Sequence, residues 1–243
     1  RGGSVTFSII AGSGSATVDT NTGVVTGMSV GTVTLTVSAA GDGSFGPASA
    51  SQLLTISQTT PTFNISLGGS LEVDSSLSVT ITGPASHDIG VLTYSVQNGT
   101  GSAIIDSSGT IVAVSAGTIT VTISSAGNAD YAPTSIDFLV IIGQSTPTLS
   151  FVSSDTLAFG ESMTAMVNTT ATYGRGGAIT FSITAGSGSA TIDEYTGLVT
   201  AIDIGTVFLT ASSTGDVDYY ASTTTQMLTI GLAVPVLTIT SDD

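Results

Sequence analysis

Val33, Leu35 and Val37 alternate with Thr32, Thr34 and Thr36, and the same beat returns at Ile119, Val121 and Ile123 and again at Val207, Leu209 and Ala211. Strict alternation puts every second side chain on one face, which is the signature of a strand buried on one side. Thr, Val and Ile favour the pleated sheet because they branch at Cβ, and no window carries an apolar stripe at helical spacing. The pattern predicts an all-β chain.

The alternating segments belong to a repeat. Arg1-Gly2-Gly3 followed by Val5-Thr6-Phe7-Ser8-Ile9 returns 174 positions later as Arg175-Gly176-Gly177 followed by Ile179-Thr180-Phe181-Ser182-Ile183, and the offset holds without a gap to Gln52 and Gln226. A middle copy lies 87 positions on, with Tyr94-Ser95-Val96 and Asp106 matching Phe7-Ser8-Ile9 and Asp19. After a one-residue deletion, Gly117-Thr118 matches Gly31-Thr32. A period of this length is the mark of a tandem array.

Turn chemistry marks the elements within each copy. Asp19 to Gly23, Asp106 to Gly109 and Asp193 to Gly197 each join a strand ending at Val18, Ile105 or Ile192 to one beginning near Val24, Thr110 or Leu198. Asp bonds backbone two residues on and Gly accepts positive φ, so these read as hairpin turns. Pro61, Pro147 and Pro235 close short links and open each copy. Pro fixes φ and donates nothing to a ladder, which suits the first residue of a strand and limits bending between units. About seven short strands per ~87 residues predict immunoglobulin-like β-sandwich repeats in a linear array. The expected units are 1–58, 59–144 and 145–232, with 233–243 the start of a further one. The first unit is expected to be N-terminally truncated, because it lacks the counterparts of two apolar stretches, 149–152 and 163–167, that should be opening strands.

Composition narrows the function. Hydrophobic residues make up 41% and mean hydropathy is +0.50, enough to build packed cores. The longest apolar runs, such as 138–142, fall far short of the ~20 residues that cross a bilayer, so no membrane insertion is expected. There are 17 acidic residues against two basic ones, Arg1 and Arg175, giving a formal net charge of −15. Such a chain repels phosphate backbones and anionic lipid, so no nucleic-acid partner is expected. Only 8% of residues are charged, leaving a surface of Ser, Thr, Gly and Asn suited to life outside the cell. Cysteine is absent, so disulfides contribute nothing. The first residues carry no basic-then-apolar signal, so targeting information for a secreted protein is expected elsewhere.

The run Ala16-Thr17-Val18-Asp19, Thr22-Gly23-Val24-Val25-Thr26-Gly27 and Gly31-Thr32-Val33-Thr34-Leu35-Thr36 resembles the bacterial immunoglobulin-like repeat families. Gly127-Asn128-Ala129-Asp130-Tyr131 and Gly215-Asp216-Val217-Asp218-Tyr219 resemble the loop before the last strand in repeats of giant surface adhesins, with Phe45 replacing the Tyr in the first copy. The resemblance covers all three copies. Within that class the chain looks most like the Thr-rich repeats of Bacteroidetes gliding-motility adhesins, exported by the type IX system. It implies an extracellular, cell-surface location and a stalk or filament that projects a distal binding region. The implied partners are neighbouring repeats and, through regions outside this chain, a surface polysaccharide or other cells.

Candidate chemistry is sparse. Nucleophilic catalysis needs a base beside its nucleophile, and the only His stands in the loop Ala85-Ser86-His87-Asp88, where it reads as an exposed residue without a chemical role. Asp193 and Glu194 could pair for glycoside cleavage, but the other copies carry Thr20 and Ser107 beside the Asp, as a turn requires. Asp19, Asn21 and Gly23 loosely follow the start of a calcium loop, and Asp216 with Asp218 or Asn128 with Asp130 form a second oxygen cluster where the first copy offers Asp42. Solvated Asx turns are the stronger reading. The expectation is therefore no enzyme, no catalytic or metal residues and no cofactor. Asn64, Asn98 and Asn168 head N-glycosylation patterns, and Asp155-Thr156-Leu157 resembles an O-glycosylation motif of Bacteroidetes. The alternative to a stalk is a carbohydrate- or ligand-binding accessory module, which would expose Trp or Tyr. There is no Trp, and Tyr131 and Tyr219 look like packing residues.

Overall fold

The structure is a computed structural model that describes residues 3–82, 89–172 and 175–235. These residues form strands joined by turns, and among them no helix is long and apolar enough to cross a membrane.

The middle copy is the most regular. It runs through β-strands that we number after those of the first copy: β1 (Val5–Ala11), β2 (Ser15–Val18), β3 (Val25–Ser29), β4 (Gly31–Ala39) and β5 (Ala48–Ile56). Its own strands are β6 (Asn64–Leu67), β7 (Leu71–Glu72), β8 (Ser76–Thr82), β9 (Leu92–Asn98), β10 (Ser102–Ile105), β11 (Thr110–Ser115), β12 (Gly117–Ser125) and β13 (Thr134–Gly143). They pair as two four-stranded sheets, β10-β11-β8-β6 and β7-β13-β12-β9. This division of strands between sheets is that of the immunoglobulin sandwich, with β7 switching sheets to lie parallel to β13. The alternation forecast for β12 is met, since Ile119, Val121 and Ile123 are all fully buried between the sheets beside Ile111. Each such side chain contributes about 1.5–3 kcal/mol through the area it removes from water.

The third copy repeats the plan with β14 (Leu149–Phe151), β15 (Thr156–Ala158), β16 (Ser162–Thr164), β17 (Val167–Thr169), β18 (Ile179–Ala185), β19 (Ser189–Ile192), β20 (Leu198–Asp203), β21 (Gly205–Ser213) and β22 (Ser222–Gly231). One sheet is β15-β22-β21-β18, and the other is divided into β16-β20-β19 and β14-β17. The strand expected over 163–167 is thus broken. Buried Ala165 donates to Gly197 O at 2.8 Å, and the two halves pair with different neighbours, Met163 with Val199 and Val167 with Phe151. Val199, Val207, Leu209 and Leu228 fill the core.

In the first copy β4 lies between β1 and β5, while β2 and β3 form a separate hairpin. Of the described residues in 1–58, Val33 is the one buried hydrophobic side chain. Val5, Val37, Ala39, Ala48 and Ala50 line an open apolar cleft.

The hairpin turns form as their residues require. Asp19 Oδ1 accepts from the backbone N–H of Asn21 and Thr22 at 2.9 and 2.7 Å, and Asp193 Oδ1 from Tyr195 and Thr196 at 3.1 and 2.8 Å. Asp106 Oδ1 takes Ser108 and Thr110 N–H at 2.8 and 2.9 Å. The closing Gly23, Gly109 and Gly197 have φ of 75°, 83° and 70°, and a Cβ on Gly23 or Gly109 would meet the ring of Phe7 or Tyr94 at 2.9 Å. The glycine and the aromatic of the repeat are therefore one packing unit. The turn admits the ring only when its last residue has no side chain.

Candidate functional site

The loop before the last strand is where successive copies meet. It opens at Gly41, Gly127 or Gly215, with φ of 78°, 72° and 69°. The next residue, Asp42, Asn128 or Asp216, turns its Oδ1 back onto the chain. It accepts from Ser44 and Phe45 N–H at 2.8 and 2.9 Å, from Asp130 and Tyr131 N–H at 2.9 Å each, and from Asp218 and Tyr219 N–H at 2.8 and 3.0 Å. This is an Asx turn made three times. It holds the fourth residue of the loop, Ser44, Asp130 or Asp218, in a fixed direction.

The two aspartates at that fourth position reach the preceding copy. Asp130 Oδ1 accepts from Val30 N–H at 2.7 Å, and Asp218 Oδ1 accepts from Ala116 N–H at 2.7 Å. Val30 and Ala116 are equivalent, each standing before a glycine with φ near the edge of the left-handed region, Gly31 at 136° and Gly117 at 132°. A charged acceptor makes each bond about twice as strong as a neutral one. The links between copies are bonded to the same loops. Thr59 donates to Asp130 O at 3.3 Å and accepts from Ala132 N–H at 3.0 Å, while Ser145 donates to Asp218 O at 3.0 Å and accepts from Tyr220 N–H at 2.9 Å. Gln58 and Gln144 Nε2 donate to Asn128 O and Asp216 O at 2.8 Å. Linker, loop and preceding copy are thus stitched at one place.

The contact around Asp218 carries further groups. Arg175 Nη1 donates to Val114 O at 2.6 Å and forms an ion pair with Asp218 Oδ2 at 2.9 Å. With about a third of the Arg175 side chain exposed, the pair is worth about 1 kcal/mol or less. Tyr219 is 2% exposed and packs into the apolar cluster of the middle copy, beside Leu71, Val73 and Ile142. Its hydroxyl donates to Asp74 Oδ2 and meets Thr172 Oγ1 at 3.1 Å, and Thr172 Oγ1 donates to Asp74 Oδ1 at 2.7 Å. Asp74 has φ of 65°, the one non-glycine residue in the left-handed region among the described residues, and Gly160 holds the equivalent turn in the third copy at 79°. That conformation costs an Asp on the order of 1 kcal/mol. The bonds to Tyr219 and Thr172 offset it. At the other contact Tyr131 is half-buried and borders a small cleft with Met28 and Ile56.

Electrostatics follow this geometry. The Gly176 N–H, at 2.7 Å from its Oδ2, holds Asp216 below the usual carboxylate range. The N–H groups of Thr22 and Thr196 do the same for Asp19 and Asp193, and the Ser108 hydroxyl for Asp106. Burial pushes the Tyr219 phenol above its ordinary value, and Asp74 raises it further.

The acids singled out from the sequence are therefore placed in turns and contacts. Asp19, Asp42, Asn128, Asp193 and Asp216 bind their own backbone, and Asp130 and Asp218 bind the neighbouring copy. Among the described residues no three His, Asp or Glu converge as metal ligands. Ser86, His87 and Asp88 lie outside the described residues. Asn64, Asn98, Thr156 and Asn168 are exposed, though Asn98 Oδ1 accepts from Ala103 N–H at 3.0 Å. Sequence reasoning passed over Asp74, Thr172 and Arg175 as contact residues. The signal for Asp74 was available, since Leu71-Glu72-Val73-Asp74 aligns with Leu157-Ala158-Phe159-Gly160 and puts an Asp where the turn prefers Gly.

No family model matches the chain, and no curated protein matches it. Among solved structures it is similar to Drosophila N-cadherin EC1-3, at 14% identity over 94% of this chain and 89% of that one, with a TM-score of 0.29. It is also similar to a SusE-like surface located polysaccharide binding protein from the Bacteroides thetaiotaomicron heparin utilisation locus, at 11% identity over 96% and 68% of the two chains, TM-score 0.28. A third is the S-layer protein rSbsC, at 13% identity over 96% of this chain and 36% of that one, TM-score 0.34. These superpositions are loose, and the fold rests on the strand pairing described above.

Proposed function

We propose that this chain is a stalk segment of a large bacterial cell-surface adhesin, built from immunoglobulin-like units over 1–58, 59–144 and 145–232 with a further unit beginning at 233–243. It works outside the cell by holding a distal binding region away from the surface, and it performs no catalysis. The observation that carries this reading is the repeated Asp clamp, in which Asp130 and Asp218 bind the backbone of the preceding copy at equivalent points. A protein whose task is reach gains from contacts that fix each unit on the last, and each added unit brings its own clamp. The acidic, Lys-free surface and the Thr-rich pattern shared with gliding-motility adhesins agree with this role.

The test is the distance between labels on the first and third copies, read by double electron–electron resonance. The wild-type chain is expected to give one narrow distribution, and the Asp130→Ala, Asp218→Ala chain a broad one with its strands intact. A broad distribution in the wild type would overturn the stalk. Retention on a polysaccharide column would instead favour the accessory binding module.

A further inference from the structure

The third copy presents at its far end the same pair of backbone groups that the clamp uses elsewhere. Asp218 takes the Ala116 N–H, and Arg175 takes the Val114 C=O two residues earlier. The equivalents in the third copy are the N–H of Ile204, ahead of Gly205 at φ 131°, and the C=O of Ile202. Exposure separates the ends. Val30 and Ala116 are half-buried under the loops that clamp them, whereas Ile204 is 51% exposed. Val73 is 2% exposed beneath Tyr219, whereas its counterpart Phe159 is 48% exposed. The Ile204 N–H and the Phe159 turn are thus the counterparts of the N–H and turn residue that the third copy covers on the second.

We propose that this end is a docking surface for the Asp-x-Asp-Tyr loop of a following repeat of the same class. The incoming fourth-position Asp accepts from Ile204 N–H, and the aromatic beside it covers Phe159. The proposal rests on the stalk reading and names the partner of its open end. A second copy of this chain does not supply that loop. Its Asp130 and Asp218 are already bonded within it, and its remaining loop carries Ser44, a neutral residue one carbon shorter with no carboxylate to offer. With Gly160 in place of Asp74, the docked contact lacks the carboxylate that receives Tyr219, so the Asp clamp and apolar cover hold it.

The experiment extends the chain. Residues 1–234 are joined to a further copy of 147–243, so that the second Asp218 follows at the natural link, and amide hydrogen exchange is followed by NMR. A parallel extension with 61–144 presents Asp130 instead of Asp218. Exchange at Ile204 is expected to slow by about tenfold or more relative to the 1–243 chain, and to return to the original rate when the appended Asp218 or Asp130 becomes Ala. An Ile204 rate unchanged in both extensions, or protection that survives the Asp→Ala change, overturns the docking surface. The Val30 and Ala116 amides in the same spectra separate the two proposals. If they stay slow while Ile204 stays fast, only the docking surface fails, and if they too are fast, the stalk reading fails with it.

Discussion

β4 and β21 carry nearly the same alternation, yet they sit in different surroundings. Val207, Leu209 and Ala211 are all fully buried, whereas of their equivalents Val33, Leu35 and Val37 only Val33 is. β21 is faced by β16 and β20 of the opposite sheet and flanked by β22 with its parallel partner β15. β4 has β1, β5 and the short β2-β3 hairpin. The loops differ in the same sense. Phe45 is 60% exposed where Tyr219, clamped into a neighbour, is 2% exposed. Alternation makes a strand and selects which face is apolar, but what is buried there depends on the layer supplied by other segments.

The sharpest way to break this comparison is to separate the regions. Residues 146–231 alone are expected to give dispersed amide signals and a cooperative melt, and 1–57 alone to be unfolded or aggregated, because open edges and an uncovered face leave too little core. A cooperative, monomeric 1–57 would show that the hairpin β2-β3 suffices as a second layer. Next in size are paired truncations in the whole chain. Leu209→Ala should lower the stability of the third copy by about 2–5 kcal/mol, while Leu35→Ala, at a site that is only partly buried, should cost less than about 1.5 kcal/mol. Urea titrations read by copy-specific NMR signals give both values, and equal costs would mean that β4 is covered in solution.

Smaller effects probe the loop. Tyr219→Phe strips a hydrogen bond from Asp74 and should cost about 1–3 kcal/mol, whereas Phe45→Tyr should stay within about 0.5 kcal/mol. A double-mutant cycle with Asp74→Gly isolates the bond from the relief of the strained backbone, and additive effects would remove the bond from the account. Dependence on pH has two limbs. Asp216 has a lowered folded value, so its contribution is fully present above the unfolded carboxylate pKa near about 4 and is lost as pH falls through the folded one. Tyr219 has a raised folded value, so its contribution is present below about 10 and is lost as pH rises through the folded one. Melting temperature against pH should therefore be flat between, and Tyr219→Phe should abolish the alkaline change. The smallest effect expected is that of calcium. Asp216 already spends both carboxylate oxygens on backbone N–H groups, so millimolar calcium should move the midpoint by less than about 1 °C. A large rise abolished by Asp216→Ala with Asp218→Ala would recast both as ligands.

Strands and hairpin turns were legible in the sequence because their causes are local. Period-two alternation named β4, β12 and β21, and Asp with Gly three or four residues on named the turns at 19, 106 and 193 to within a residue. The break between β16 and β17 was not legible, since Met163 to Val167 reads as one apolar stretch and only the approach of Ala165 to Gly197 divides it. The clamp was hidden for a different reason. Asp218 binds a backbone N–H, and Ala116 carries no side-chain mark of that role. The recurrence of Asp130 and Asp218 was visible, but it looked like turn chemistry because the neighbouring Asp216 is turn chemistry.

The switch of β7 and β15 to lie parallel with β13 and β22 has a mechanical consequence. In each of these copies a strand near the start and the final strand run side by side in the same direction, Leu71 beside Ile142 and Leu157 beside Ile230. Tension applied along an array pulls the first of these backwards and the second forwards. Their hydrogen bonds are then loaded in shear, so they must yield together and cannot be opened one at a time from an end. A unit loaded this way would resist a brief tug at the few residues where its entrance lies against its exit.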